Sequence, residues 1–360
     1  MHIDSFEIVP VRVSARTTWL HILLHTNLGL TGVAEASLGN RRGLPELERF
    51  FALVRDRPLP DVETYRRRGR SMAARDGLRA ATAFSAIEHA LWDLAGKAEG
   101  VPAHALLGSQ VRDDVLLYGN INRMTTERTP DGFAASAEKA AKAGFRALKA
   151  APFDGFPPRS DPAAVREAID LGIRCLESIR AAVGPDIALK VDCHSHFTEA
   201  EAVQVAERLE PVGLDWYEEP VPAADAPATR RIRDAVEQRL AGGERGFGVE
   251  GFAPLLDERA VDVIMPDTMH CGGLTEGLAI ARAAADVGVA VSPHNACGPV
   301  STAAALQFCA VAPGVESLEL QWGEVPWRPD VIEPPERFEN GRMAIPAAPG
   351  LGVTLLDPPA

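Results

Sequence analysis

The first forty residues alternate between apolar and polar positions in a strand-like way. Phe6, Ile8 and Val11 begin one run, and residues 20–25 and 31–36 form two more, joined by a turn through Asn27, Gly29 and Leu30. Period-two alternation sends successive side chains to opposite faces and predicts three strands. The pattern then lengthens to a helical period. Residues 44–56 and 61–109 read as helices, with apolar positions at helical spacing from Ala80 to Lys97 and a stop near Gly100, Val101 and Pro102. This opening is a small α+β region.

From about Val115 the rhythm changes again. Short apolar or β-branched runs occur at 115–121, 145–151, 187–193, 214–220, 238–244, 261–267, 287–294 and 316–322. Helical patterns lie between them, as at 161–183, 198–209, 275–287 and 302–311. Eight strands alternating with helices predict an α/β fold, a (β/α)8 barrel of the TIM type, although a doubly wound sheet would produce the same alternation. Polar residues collect at the C-terminal ends of the runs, where barrel active sites lie. The expected division is an N-terminal α+β region at 1–112, a barrel at 113–322 and a Pro- and Gly-rich tail at 323–360 that returns to the first region.

Composition narrows the partners. The formal net charge is −13 and the pI about 5.2, which disfavours nucleic acid and anionic lipid. Five cysteines without a CxxC pair argue against a disulfide framework or a structural zinc site. The first residues lack a basic segment followed by an apolar one, and no apolar run is long enough to span a bilayer, so a cytoplasmic protein is expected.

Three strand ends carry carboxylates: Asp192, Glu218 and Glu244, each 26 residues from the next. Any one of them alone reads best as a solvated strand end or a helix cap. Converging at one barrel mouth, they would repel by roughly 4 kcal/mol per pair at 4 Å and an effective dielectric of about 20. A hard divalent cation relieves that repulsion, and an all-oxygen set suits magnesium, manganese or calcium rather than zinc. Asp267 ends the next strand and His294 the one after. An Asp that orients and charge-stabilises a neighbouring imidazole makes a general base near neutral pH.

The ordered phrases TGVAEA (31–36), SAIEHALWDLAGKAEGVPAHALLG (85–108), KVDCH (190–194), WYEEP (216–220), GGE (242–244), IMPDTMHCGG (264–273), SPH (292–294), SLEL (317–320) and PGLGV (349–353) span nearly the whole chain. In these it resembles the mandelate racemase subgroup of the enolase superfamily. The resemblance implies a modified barrel under an α+β capping domain, built from the N-terminal region and the tail. It also implies Mg²⁺ on Asp192, Glu218 and Glu244, with Glu219 in a supporting place. His294, paired with Asp267, becomes the base that takes the proton next to a substrate carboxylate. Glu319 would hydrogen-bond that carboxylate and stabilise developing charge, with Glu316 a weaker alternative. The resemblance also implies a homo-oligomer, since relatives of this kind are often octamers or smaller assemblies.

The second barrel strand departs from the family's common Lys-x-Lys: here it reads Lys149-Ala150-Ala151. The missing second lysine weakens a racemase assignment and leaves Lys149 to neutralise charge. The third strand continues Asp192-Cys193-His194, similar to the D-x-H of acid-sugar dehydratases. Strand alternation would put both side chains on one face, casting His194 as the general acid for a departing hydroxyl and ranking His196, further out, below it. The expected reaction is β-elimination of water from an aldonate or aldarate, with a racemase, epimerase or cycloisomerase as the alternative, and a metal-binding barrel without activity as a third. Cap segments 14–19 and 37–42, with Arg16, Trp19, Asn40 and Arg41, and the stretch PFDGFPPRSDP (152–162) are the expected specificity elements.

Overall fold

The computed structural model describes residues 1–38, 44–55 and 62–356. Three strands, β1 (Ile3–Arg12), β2 (Thr18–Thr26) and β3 (Thr31–Ala36), form an antiparallel meander. Its apolar face packs on the helices α1 (Leu44–Phe51), α2 (Val62–Arg75) and α3 (Leu78–Glu99), with Ile22, Leu47, Phe50, Tyr65 and Phe84 fully buried between them. The helical pattern expected over 61–109 is broken into α2, α3 and a short α4 (Ala103–Leu107). The breaks fall at Gly77 and Gly100, with φ of +83° and +71°, a conformation that costs glycine little. Of the specificity elements, Asn40 and Arg41 lie outside the described residues.

The alternating region closes into a barrel. Its strands are β4 (Asp114–Asn120), β5 (Ala147–Ala150), β6 (Ala188–Asp192), β7 (Trp216–Glu218), β8 (Leu240–Gly242), β9 (Val263–Ile264), β10 (Ala290–Val291) and β11 (Leu318–Gln321). They pair in parallel in the order β10-β9-β8-β7-β6-β5-β4-β11. A parallel bridge from Val291 to Val315, just before β11, joins the two ends. Sequential order with closure excludes the doubly wound alternative, whose strand order reverses. Helices α5 (Pro130–Lys142), α6 (Pro162–Val183), α7 (Glu199–Leu209), α8 (Ala226–Ala235), α9 (Gly248–Asp257), α10 (Gly273–Asp286) and α11 (Pro299–Val311) form the outer ring. Local capping sets several of them. Thr129, Asp161 and Asp225 accept from the first turns of α5, α6 and α8, each with proline in that turn, and Thr198 with Glu201 completes a capping box on α7. Tyr118, Ala147, Trp216, Ala241, Val263 and Met265 pack inside the ring and give the mouth an apolar floor.

Buried carboxylates lock the cap to the barrel. Glu88 of α3 accepts from Leu274 and Thr275 at the start of α10, and Asp93 accepts from Val33 of β3 and Leu351 of the tail. Glu35 of β3 accepts from Gly298 and Ser301 at the start of α11. The tail therefore does return to the first region, but it first pairs strand Arg342–Ala344 antiparallel to β4. Gly273 has φ +91°, and a methyl group on it would collide with the Glu88 carboxylate. Gly273→Ala is expected to lower stability by about 1–3 kcal/mol, measured by denaturant unfolding; a wild-type midpoint would show that the Glu88 contact does not fix this junction. All five cysteines are free and buried, and among the described residues no helix is long and apolar enough to cross a membrane.

Candidate active site

The strand ends deliver the expected side chains to one mouth. Ligand atoms of Asp192, Glu218 and Glu244, at the ends of β6, β7 and β8, lie within 4.8 Å of one another. Asp192 and Glu218 are buried. Trp216 donates its indole N–H to Glu218 Oε2 at 3.0 Å, and Lys149 Nζ of β5 reaches Glu218 Oε1 at 2.8 Å and Glu319 Oε1 at 3.0 Å. Asp192 Oδ2 is 3.9 Å from the same ammonium.

The Asp267–His294 pair is formed: His294 Nδ1 lies 2.7 Å from Asp267 Oδ2, while Asp267 Oδ1 accepts from Met269 N at 2.7 Å. That bond fixes the ring and leaves Nε2 facing the mouth, 3.2 Å from Glu244 Oε2 and 3.7 Å from Glu319 Oε2. Glu319 is buried, accepting from Asn120 Nδ2 at 2.7 Å and Asn295 N at 3.0 Å. A carboxylate so supplied with donors needs a proton before it can donate to a second carboxylate. Glu316, the weaker alternative, is on the surface and pairs with Arg239. Glu219 supports from the side, accepting from Gly243 N at 2.9 Å and Ser195 Oγ at 3.4 Å.

His194 reaches the mouth by a route that differs from the expected one. Strand β6 ends at Asp192, and His194 and Ser195 adopt left-handed backbone with φ +45° and +59°. Side-chain parity therefore stops at Asp192, and a tight turn folds the imidazole back. His194 Nε2 sits 3.0 Å from Asp192 Oδ2, and Nδ1 sits 2.5 Å from Asp154 Oδ1. His196, of the same sequence parity, instead stacks on Phe156 with ring centroids 5.1 Å apart. Asp154 lies in the stretch marked as a specificity element; its bond to an imidazole is a long-range contact that local pattern does not reveal. Asn120, closing β4, could have been found by the strand-end rule that found the carboxylates.

The electrostatics ask for a cation. Burial, then the nearby Asp192, pushes Glu218 above the usual carboxylate range despite Lys149. Burial opposes a charged His294, yet Glu244, Glu319 and Asp267 push its pKa up to about 10. A base that basic would already hold its proton at neutral pH. Positive charge on Glu244 and its two companions would remove much of that bias and the mutual repulsion. His194 moves the same way: burial opposes, but Asp154 and Asp192 push it up to about 11, holding it as an acid. The three carboxylates thus fit a hard divalent metal by donor type, convergence and charge.

These groups open into a cavity of about 380 Å³ lined by Asp192, His194, Glu244, His294, Asn120 and Arg123, among others. Asp154→Asn is expected to lower kcat by about ten-fold or more with KM less affected, because the His194 ring loses its orienting acid. Steady-state kinetics check this; an unchanged kcat would detach Asp154 from the chemistry.

Comparison with known proteins agrees with the architecture. Residues 6–108 match the family described as mandelate racemase / muconate lactonizing enzyme, N-terminal domain, and residues 132–358 match enolase C-terminal domain-like. The chain is 30% identical to the D-xylonate dehydratase of Haloferax volcanii over 97% of its own length and 86% of that enzyme. It is 36% identical to the D-gluconate dehydratase of Thermoproteus tenax, over 76% of this chain but only 54% of that longer protein. It is 35% identical to the D-galactarolactone cycloisomerase of Agrobacterium fabrum, over 76% of this chain and 71% of that one. The crystal structure of a mandelate racemase/muconate lactonizing enzyme from Jannaschia sp. CCS1 superposes with a TM-score of 0.88 at 30% identity, covering 99% of this chain and 95% of that one.

Proposed function

Because the chain belongs to the mandelate racemase / muconate lactonizing enzyme family of the enolase superfamily, we propose that it dehydrates a sugar acid, an aldonate or aldarate, to the 2-keto-3-deoxy acid. The observation that carries this reading is a pair of histidines facing each other over the carboxylate cluster. Strands β6 and β10 stand four apart in a ring of eight, so His194 and His294 approach the cavity from opposite sides.

His294 Nε2 takes the proton α to the carboxylate, and Asp267 holds the other ring nitrogen and steadies the imidazolium that forms. The electron pair left on the α-carbon becomes an enediolate. As it collapses to a carbon–carbon double bond, the β-carbon–oxygen bond breaks and His194 protonates the departing hydroxyl, releasing water. The enol product then ketonises. Placement on opposite sides favours anti elimination. Asp192, Glu218 and Glu244 are the proposed Mg²⁺ ligands, and the bound ion would supply positive charge to the substrate carboxylate and the enediolate. Lys149 offsets the buried carboxylates and, against burial, helps hold Glu319 below the usual carboxylate range, so Glu319, beside His294, must gain a proton in the complex before it can hydrogen-bond the substrate carboxylate.

We divide the chain as the resemblance implies, with a cap from 1–112 and 323–360 over a catalytic barrel at 113–322. We further propose that the protein works in the cytoplasm, as its sequence leads one to expect, and that it forms a homo-oligomer, as the resemblance implies. One other reading has a specific observation behind it: opposed acid and base would also suit epimerisation through a two-sided proton exchange. Ala151, standing where the family's second lysine would be, counts against it. The test is incubation with Mg²⁺ and a panel of aldonates and aldarates, scored as the semicarbazone of a 2-keto product. A positive member supports dehydration and names the substrate; a panel in which every member stays silent counts against it.

A further inference from the structure

Beside the catalytic cavity lies a second recess of about 130 Å³. The two share Ser37, Arg123, Ala296 and Cys297, so they are compartments of one mouth. The recess is walled from the cap side by Arg16, Thr17, Thr18 and Trp19 and from the barrel side by Arg123.

Its charge is the reverse of the catalytic end. The Arg16 guanidinium has no hydrogen-bond or ion-pair partner among the described residues. Arg123 has one distant partner, Glu324 Oε2 at 3.5 Å, and that carboxylate already accepts from Ser14 Oγ at 2.8 Å. Behind them Arg128 is committed to Asn122, Asp154 and the Ala151 carbonyl. One carboxylate in the wall, Glu35, is spent on Gly298 N and Ser301 N. In a chain of net charge −13, the recess is thus lined by one guanidinium without a partner among the described residues, Arg16, and by one, Arg123, held by a single long ion pair. A planar fork of N–H donors suits a carboxylate. The recess has room for a terminal carboxylate, and Ser37, Thr17 and Thr18 also line it.

We propose that this recess binds a second carboxylate at the far end of the substrate, through Arg16 of the cap and Arg123 of the barrel, making the enzyme selective for sugar diacids over sugar monoacids. This rests on the dehydratase reading and narrows it from acid sugars in general to aldarates. The relatives named for gluconate and xylonate carry monoacid names, and the one named for galactarolactone carries the name of a diacid's lactone, so sequence similarity alone does not choose between the two classes. The two ends of the cavity then have separate tasks. Carboxylates and a cation hold the reacting end, and arginines hold the far end and set the length of chain accepted.

The experiment compares kcat/KM for aldarates and for the aldonates of matching length and stereochemistry, with Mg²⁺, in the wild type, Arg16→Gln and Arg123→Gln. The proposal expects a diacid as the best substrate. It expects each variant to lose about ten-fold or more on that diacid, mostly in KM, and Arg16→Gln, which lies outside the catalytic cavity's lining, to stay within about two-fold on the monoacid. Calorimetric titration of the diacid into His294→Asn, and into that variant carrying Arg16→Gln, reads the same contact without turnover and should show a matching loss of affinity. A wild type that prefers aldonates, or an Arg16→Gln variant that loses equally on both classes, overturns the diacid assignment while leaving dehydration intact. Failure to dehydrate either class removes the underlying reading and this inference with it.

Discussion

Replacing His294 with Asn is expected to lower kcat by about 10²–10⁴ with little change in fold or metal affinity. The expectation follows from position. His294 Nε2 faces the cavity, and Nδ1 is held 2.7 Å from a buried Asp267 that itself accepts from a backbone N–H. Asn keeps a polar group near Asp267 but cannot carry the proton. Steady-state kinetics give the loss, and circular dichroism together with a Mg²⁺ titration show whether the variant is otherwise intact. Wild-type turnover by a folded His294→Asn protein would remove this residue from the chemistry.

Lys149→Met should act on stability first and in a metal-dependent way. Lys149 is buried between Glu218 and Glu319 with Asp192 beyond, and removing its charge leaves an uncompensated acidic cluster. Breaking such a buried arrangement from one side costs about 3–5 kcal/mol. A cation bound to Asp192, Glu218 and Glu244 would replace part of the missing charge, so added Mg²⁺ should stabilise the variant more than it stabilises the wild type. Urea unfolding with and without Mg²⁺ measures both effects. A variant as stable as the wild type without metal would show that the ammonium does not hold the cluster together.

Much of this site was legible because its residues sit at strand ends. Asp192, Glu218, Glu244, Asp267 and His294 end or closely follow successive apolar runs, Glu319 lies within the last one, and a closed parallel barrel has one mouth for all of them. All the runs but the first are longer than the paired strands; β9 and β10 hold only two paired residues apiece, because the polar ends curve away into loops. The break at Gly77 was hidden because the residues on both sides keep a helical pattern, and only the positive φ separates α2 from α3. His194 was placed by a strand parity that ends one turn too early, and it reached the mouth for a different reason. Its partner Asp154, forty residues upstream, was beyond any local pattern, as were the buried carboxylates Glu35, Glu88 and Asp93 that hold the cap to the barrel. The cap loop with Asn40 and Arg41 lies outside the described residues.

In the proposed reaction a proton leaves the α-carbon and a hydroxyl leaves its neighbour in one active site. The most direct measurement is proton NMR of the reaction in deuterated water with Mg²⁺ and the best sugar acid of the panel. Dehydration would show as loss of the substrate α- and β-proton signals together with the appearance of a 3-deoxy methylene carrying deuterium, at matching rates. Exchange of the α-proton for deuterium with the β-hydroxyl retained would contradict dehydration and assign the site to epimerisation.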